Sequence, residues 1–141
     1  MTGRESYLEA RILSSDPLEL VCLMYQHAID AVRDARNHLA GGQIAARSRA
    51  ISKAIAIVGE LNTSLDHNVA GVISRSLEQL YQYMTGRLTE ANLRQKDAPL
   101  AEVEALLVTL ADGWKRIRAP QAPPPAWKES GEALAGQRWS A

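Results

Sequence analysis

Three histidines are the first side chains to test for chemistry, and they stand at 27, 38 and 67. A di-iron bundle needs Glu-x-x-His pairs projecting inward. Three residues before these histidines stand Met24, Ala35 and Ser64 instead. The helical zinc motif His-Glu-x-x-His is also missing, so no metal ligand and no cofactor is expected. A phosphotransfer bundle exposes a reactive histidine on a helix with Lys and Gly nearby. His27 is followed by Ala28, Ile29, Asp30 and Ala31, a poor match. The chemistry available to His27 is therefore that of a boundary-face residue of a helix, and His38 fits a last helical turn, where positive charge is favourable. Ser64, Asp66 and His67 lie close in sequence, but triads are defined by geometry, and these residue types suit a turn or cap. Cys22 has no cationic neighbour and reads as a small hydrophobe. With no Gly-rich phosphate loop either, no catalytic residue is assigned, and the chain is read as a non-enzyme.

The elements that carry these residues are helices. Asp16-Pro17-Leu18-Glu19 combines an N-cap residue, a proline suited to the first helical position and an acidic first turn. Val21, Met24, Ala28, Val32, Ala35 and Leu39 then step by three and four, and Gly41-Gly42 ends the run. A second stripe is Ile51, Ala54, Ile55, Val58, Leu61 and Leu65, followed by a turn at Asp66, Asn68 and Gly71. The third is Ile73, Leu77, Leu80, Met84, Leu88 and Ala91, ending near Gln95-Lys96-Asp97. The fourth opens at Asp97-Ala98-Pro99 and runs through Leu100, Val103, Leu107, Leu110, Trp114 and Ile117. Its acids, Glu102 and Glu104, come early and Lys115, Arg116 and Arg118 late, complementing the helix dipole. Helices of some 20 residues are about 30 Å long, and short connections make successive ones antiparallel. The expected fold is all-α: an antiparallel four-helix bundle over residues 1–119, with a short N-terminal leader, 1–15. A Pro-rich tail, 120–141, carries prolines at 120, 123, 124 and 125 and two large aromatics, Trp127 and Trp139. It is expected to be disordered and locally extended.

Each helix of such a bundle needs one apolar stripe, yet several apolar residues fall outside the stripes. Leu23 stands roughly 140° from the first stripe's centre, among Gln26, Asp30, Asp34 and Asn37, and Leu20 and Ile29 flank that stripe at roughly 80–100°. Ile57 is about 90° off the second stripe, Val72 and Tyr83 about 95–115° off the third, and Leu93 almost opposite it. Scattered surface hydrophobes are ordinary. Taken together, these residues point to apolar grooves that receive another helix or an extended segment. Tyr7, Leu8, Ile12 and Leu13 of the leader are a further apolar set. They either cover a groove until a partner displaces them or staple the bundle end. Gly59, Gly86 and Gly113 interrupt helices away from the stripes; they are either tolerated or admit a close partner backbone.

Charge narrows the partner class. Sixteen Lys+Arg balance sixteen Asp+Glu, and no segment shows an excess of either sign greater than two. Nucleic acid is therefore not an expected partner. No apolar stretch reaches the ~18 residues of a membrane span, so no membrane insertion is expected. The opening MTGRESYLEARIL has no apolar core of a secretory signal, and a single cysteine excludes an internal disulfide framework. The expected location is the cytoplasm. A recognition surface without a single-sign face is apolar, and its binding depends weakly on salt.

Several local patterns resemble one family. Tyr7 precedes Ser14-Ser15-Asp16-Pro17-Leu18-Glu19-Leu20; helix one has Met24-Tyr25 and Ala28-Ile29; helix two has Ile51-x-Lys53-Ala54-x-x-Ile57-Val58-x-Glu60-Leu61 and Ser64-Leu65-Asp66. The most specific run is Leu77-x-x-Leu80-Tyr81-x-Tyr83-Met84-x-x-Arg87-Leu88-x-x-Ala91-Asn92, and Trp114 follows in helix four. The chain thus resembles the FliS flagellar export chaperones over about residues 7–118. Gln26-His27 departs from that family's frequent acidic residue and Gly, and the tail with Trp127 and Trp139 is unlike the family core. The resemblance implies an antiparallel bundle that binds the C-terminal segment of flagellin in the cytosol of a flagellated bacterium. It implies prevention of premature polymerisation and delivery to the flagellar type III export gate, with flagellin wrapping the bundle and the leader shifting aside. Candidate flagellin-binding residues are Tyr7, Ile12 and Leu13 in the leader and Leu20, Leu23, Ile57, Tyr83 and Leu93 in the grooves. The alternatives are an adaptor for a flagellar regulator, an anti-sigma factor, and a histidine phosphotransfer bundle using His27.

Overall fold

The computed structural model describes residues 17–65 and 71–118. Four helices account for nearly all of them: α1 Pro17–Ala40, α2 Ile44–Thr63, α3 Val72–Arg94 and α4 Asp97–Arg118. The leader, the tail, Asp66, His67 and Asn68 lie outside the described residues.

Local chemistry sets the helix ends. Pro17 opens α1, where a missing N–H costs nothing, and Glu19 lies in the positive first turn. At the other end Gly42 takes φ 68°. That left-handed step lets the Gly42 N–H reach the Leu39 carbonyl at 3.1 Å and the Gln43 N–H reach that of His38 at 2.9 Å. His38 is in this last turn, and its Nδ1 lies 2.6 Å from Gln43 Oε1. Gln95 ends α3 in the same left-handed region, at φ 55° and ψ 48°, without the freedom of glycine. Asp97 lies in the first turn of α4.

The helices form a ring in which α1 packs on α2 and α4, and α3 packs on the same two. The turns at 41–43 and 95–96 lie at one end. The end of α2, the start of α3, the start of α1 and the end of α4 lie at the other. The buried centre holds Tyr25, Ala28, Ile29, Ala31, Val32 and Ala35 of α1 and Ile51, Ala54, Val58 and Leu61 of α2. Tyr81, Met84, Leu88 and Ala91 of α3 and Leu100, Val103, Leu107 and Ala111 of α4 complete it.

This core departs from the single-stripe reading in informative ways. Ile29, placed among the surplus residues, is buried. A helix touching two neighbours must bury a broad arc, and Ile29 and Ala31 occupy its two flanks. Val21, Met24 and Leu39, taken as stripe centre, are only half-buried. Ile73 and Ile117, taken as core, are 65% and 66% exposed because they stand at the open end of the ring. Trp114 is half-buried and is not the sole large aromatic of the interior. Tyr25 and Tyr81 are buried beside it, with ring centroids 6.5 Å apart and 6.4 Å between Tyr25 and Trp114. The two tyrosine hydroxyls hydrogen-bond to each other, so the polar tips of both rings are satisfied inside the core.

Candidate functional site

The clefts between adjacent helices differ in character. Between α1 and α4 the lining is charged. Arg36 donates from Nε and Nη2 to both oxygens of Asp97, at 2.8 and 2.9 Å, and from Nη1 to Glu104 at 3.0 Å. Arg33 adds a 3.2 Å bond to the second Glu104 oxygen. Burial pushes the Glu104 carboxyl up, but the Arg36 and Arg33 hydrogen bonds outweigh it and hold the group below the ordinary carboxylate range. These guanidinium groups are committed to carboxylates, so the cleft of about 450 Å³ that they line is open to solvent and charged rather than apolar.

Between α1 and α2 the lining is mostly apolar. Leu20, Met24 and His27 of α1 face Ile57 and Glu60 of α2 around a cleft of about 300 Å³. The antiparallel register joins them: Leu20, Met24 and His27 recur every three to four residues on α1, and Ile57 and Glu60 do the same on α2. Two of the sequence-derived candidates, Leu20 and Ile57, thus share one groove although 37 residues separate them. Leu23 is half-buried, one turn before His27 on the same helix.

A smaller cleft of about 190 Å³ lies between α2 and α3, lined by Val58, Gly59, Asn62, Tyr81, Gln82 and Thr85. A Cβ at Gly59 would meet nothing within 4 Å, so the backbone of α2 is open there. Asn62 Oδ1 is buried without a hydrogen-bond partner among the described residues.

On the α3–α4 side, Tyr83 donates its hydroxyl to Glu102 at 2.8 Å, and Arg87 donates Nε to the same oxygen at 2.6 Å. Arg87 also reaches Glu90 at 2.6 Å. Hydrogen bonds from Tyr83 and then Arg87 hold the Glu102 carboxyl below its usual range, and the Glu102 bond raises the Tyr83 phenol. Tyr83 is therefore exposed but engaged. Leu93 stands by itself at 78% exposure near the opposite end of α3. Tyr7, Ile12 and Leu13 lie outside the described residues.

Other contributors escaped the sequence reading. Met24 looked like core and His27 like a boundary residue, yet both line the α1–α2 groove. Arg47 is buried, donating Nε to Asn92 Oδ1 at 3.2 Å, and Ser48 donates to the same oxygen at 3.0 Å. Asn92 thus holds the start of α2 on α3, and the Ala91-Asn92 pair in sequence was the only signal of it.

Among the described residues no group of His, Cys, Asp and Glu could hold a metal ion. Among the same residues no helix is long and apolar enough to cross a membrane. The family model of the flagellar protein FliS matches residues 1–121, leaving 122–141 beyond the match. The flagellar secretion chaperone FliS of Salmonella typhimurium is 38% identical over 116 residues, covering 82% of this chain and 85% of that protein. FliSB of Pseudomonas aeruginosa, also a flagellar secretion chaperone, is 36% identical over 110 residues, 78% of this chain and 87% of its own. FliS of Bacillus subtilis is 29% identical over 111 residues, 79% and 82% of the two chains. A family match over residues 1–121, which takes in all four helices, and relatives at 36–38% identity over about four-fifths of the chain settle the assignment: this chain belongs to the FliS family of flagellar secretion chaperones.

Proposed function

We propose that this protein is a cytoplasmic export chaperone for flagellin. It binds the C-terminal segment of flagellin, keeps that segment from polymerising early and aids its delivery to the flagellar type III export gate. The observation that carries this reading is the Leu20–Met24–Ile57 groove, an apolar cleft left over after each helix has supplied its share of the core. A neighbouring cleft adds an open helix backbone at Gly59 and, at Asn62, an acceptor without a partner among the described residues. An amphipathic segment that is disordered when free gains affinity by laying its apolar face into such grooves. Its ordering costs about 2–5 kcal/mol, which makes the complex reversible enough for handover at export. Leu20, Leu23 and Ile57 are the proposed groove contacts, with Tyr83 and Leu93 as outlying ones, and Tyr7, Ile12 and Leu13 the leader residues that yield to the client.

Titration calorimetry of the full chain with the cognate flagellin C-terminal segment tests the proposal. Saturable binding at micromolar concentration or tighter is expected, with a negative heat-capacity change from apolar burial. Absence of binding at that concentration sinks it. Recovery of an anti-sigma factor and no flagellin in a pull-down reassigns the grooves to a regulator.

A further inference from the structure

We infer that the open end of the α3–α4 seam is a docking site for this chain's own tail, with Trp127 as the anchoring side chain. The seam's register is set by the Arg87–Glu102 bond. Fourteen residues back from Arg87 stands Ile73, and fourteen on from Glu102 stands Arg116, next to Ile117. Ile73 lies about 40° around α3 from Arg87, and Ile117 about 60° around α4 from Glu102, both turned toward the core stripe. In mid-seam the residues on these same sides, Leu80 of α3 and Leu106 and Leu110 of α4, are half-buried and packed on the core. At the end of the seam the same sides are bare, and Ile73 and Ile117 are each about two-thirds exposed. Val72 adds an exposed rim, and a Cβ at Gly113 would meet nothing within 4 Å. The seam therefore ends in core-type residues that no described residue covers.

The occupant is argued from chain continuity. Residues 119–141 follow α4 directly, beginning two positions after Ile117. Trp127 is nine residues beyond Arg118, and nine residues of polyproline-like chain span about 28 Å. The seam from Ile117 back to Glu102 is 15 residues of helix, about 22 Å. Trp127 can thus be laid anywhere along it. Prolines 120, 123, 124 and 125 restrict the tail before binding, so less conformational entropy is lost on docking. A tryptophan is the side chain best suited to cover two exposed isoleucines and the open strip at Gly113.

The test uses the full chain in a Cys22→Ser background, with a spin label at Ser130→Cys and isotope-labelled isoleucine methyls. The Ile73 and Ile117 signals should fall at least twofold relative to the reduced label, while Ile44 at the far end keeps its intensity. Adding Trp127→Ala should restore the two signals. An equal loss with Trp127→Ala reflects tethering alone and overturns the inference, as does no loss at all. A twofold loss in a mixture of labelled and methyl-observed chains assigns the seam to a second copy and also overturns it. Loss from a label at Ser6→Cys, with none from Ser130→Cys, gives the seam to the leader with the same consequence.

Discussion

The Tyr25–Tyr81 hydroxyl pair offers the sharpest test of how this core is built. Both rings are buried and the two oxygens bond to each other across the bundle. Tyr81→Phe removes one hydroxyl and leaves that of Tyr25 without this partner inside the core. A buried polar group so stranded costs about 1–3 kcal/mol. Tyr25→Phe strands the other hydroxyl at a similar cost. The double variant strands neither hydroxyl and gives up only the bond between Tyr25 and the half-buried Trp114, so it should cost less than the sum of the two single variants. The double-mutant cycle should therefore show a coupling of about 1–3 kcal/mol, with the double variant more stable than Tyr25→Phe, which shares its loss of the Trp114 bond. Urea unfolding at neutral pH measures it: each single variant should lower the midpoint by on the order of 1 M at unchanged slope. The pH axis supplies an independent reading. Burial raises both phenols above 10.0, opposed at Tyr25 by hydrogen bonding to Tyr81 and Trp114 and reinforced at Tyr81 by the bond to Tyr25. The folded state then holds its phenolic protons more tightly than the unfolded chain. The resulting stability is fully present below pH 10 and is lost as pH rises beyond it. The double Phe variant should flatten that alkaline loss. Single variants as stable as the parent, or a double variant as unstable as the sum of the two, would refute the satisfied-pair account.

Four further outcomes follow from the same structure. Asn92→Ala removes the acceptor of the buried Arg47 and should destabilise the fold by about 1.5–3 kcal/mol in urea titration, since hydrogen bonds to charged groups are the stronger kind. Gln95→Gly relieves a left-handed residue that has a side chain, and should raise stability by roughly 1 kcal/mol by the same assay. Ile57→Asp places a carboxylate in the α1–α2 groove and should weaken flagellin-segment binding at least tenfold in calorimetry, a loss of about 1.4 kcal/mol. Raising salt from 0.05 to 0.5 M should change that affinity less than threefold; a steep loss would show that charge, not apolar burial, drives recognition.

Much of this molecule was legible in its residues. The four helices could be drawn from 3–4 spacing, and their ends from Pro17, Gly41-Gly42 and Asp97, because those signals are local backbone chemistry. The family could be read from Leu80-Tyr81-x-Tyr83-Met84 and its companions. Groove membership was legible for Leu20 and Ile57 only as surplus apolar surface on separate helices.

Tertiary structure decided the rest, because burial belongs to neighbours and not to a helix by itself. Ile29 and Ile73 are the same residue type, the first read as flanking its stripe and the second as a member of its own. One is buried because α4 covers that flank of α1, and the other is bare because the seam ends there. The helical wheel of α1 could not show that Met24 and His27 would meet Ile57, since only the antiparallel register of α1 and α2 brings them level. Nor could it show that Tyr25 and Tyr81, on helices diagonal across the ring, would satisfy each other's hydroxyls. Periodicity is a property of one helix; a groove, a buried hydrogen bond and an uncovered seam are properties of two or more, and they exist only once the ring has closed.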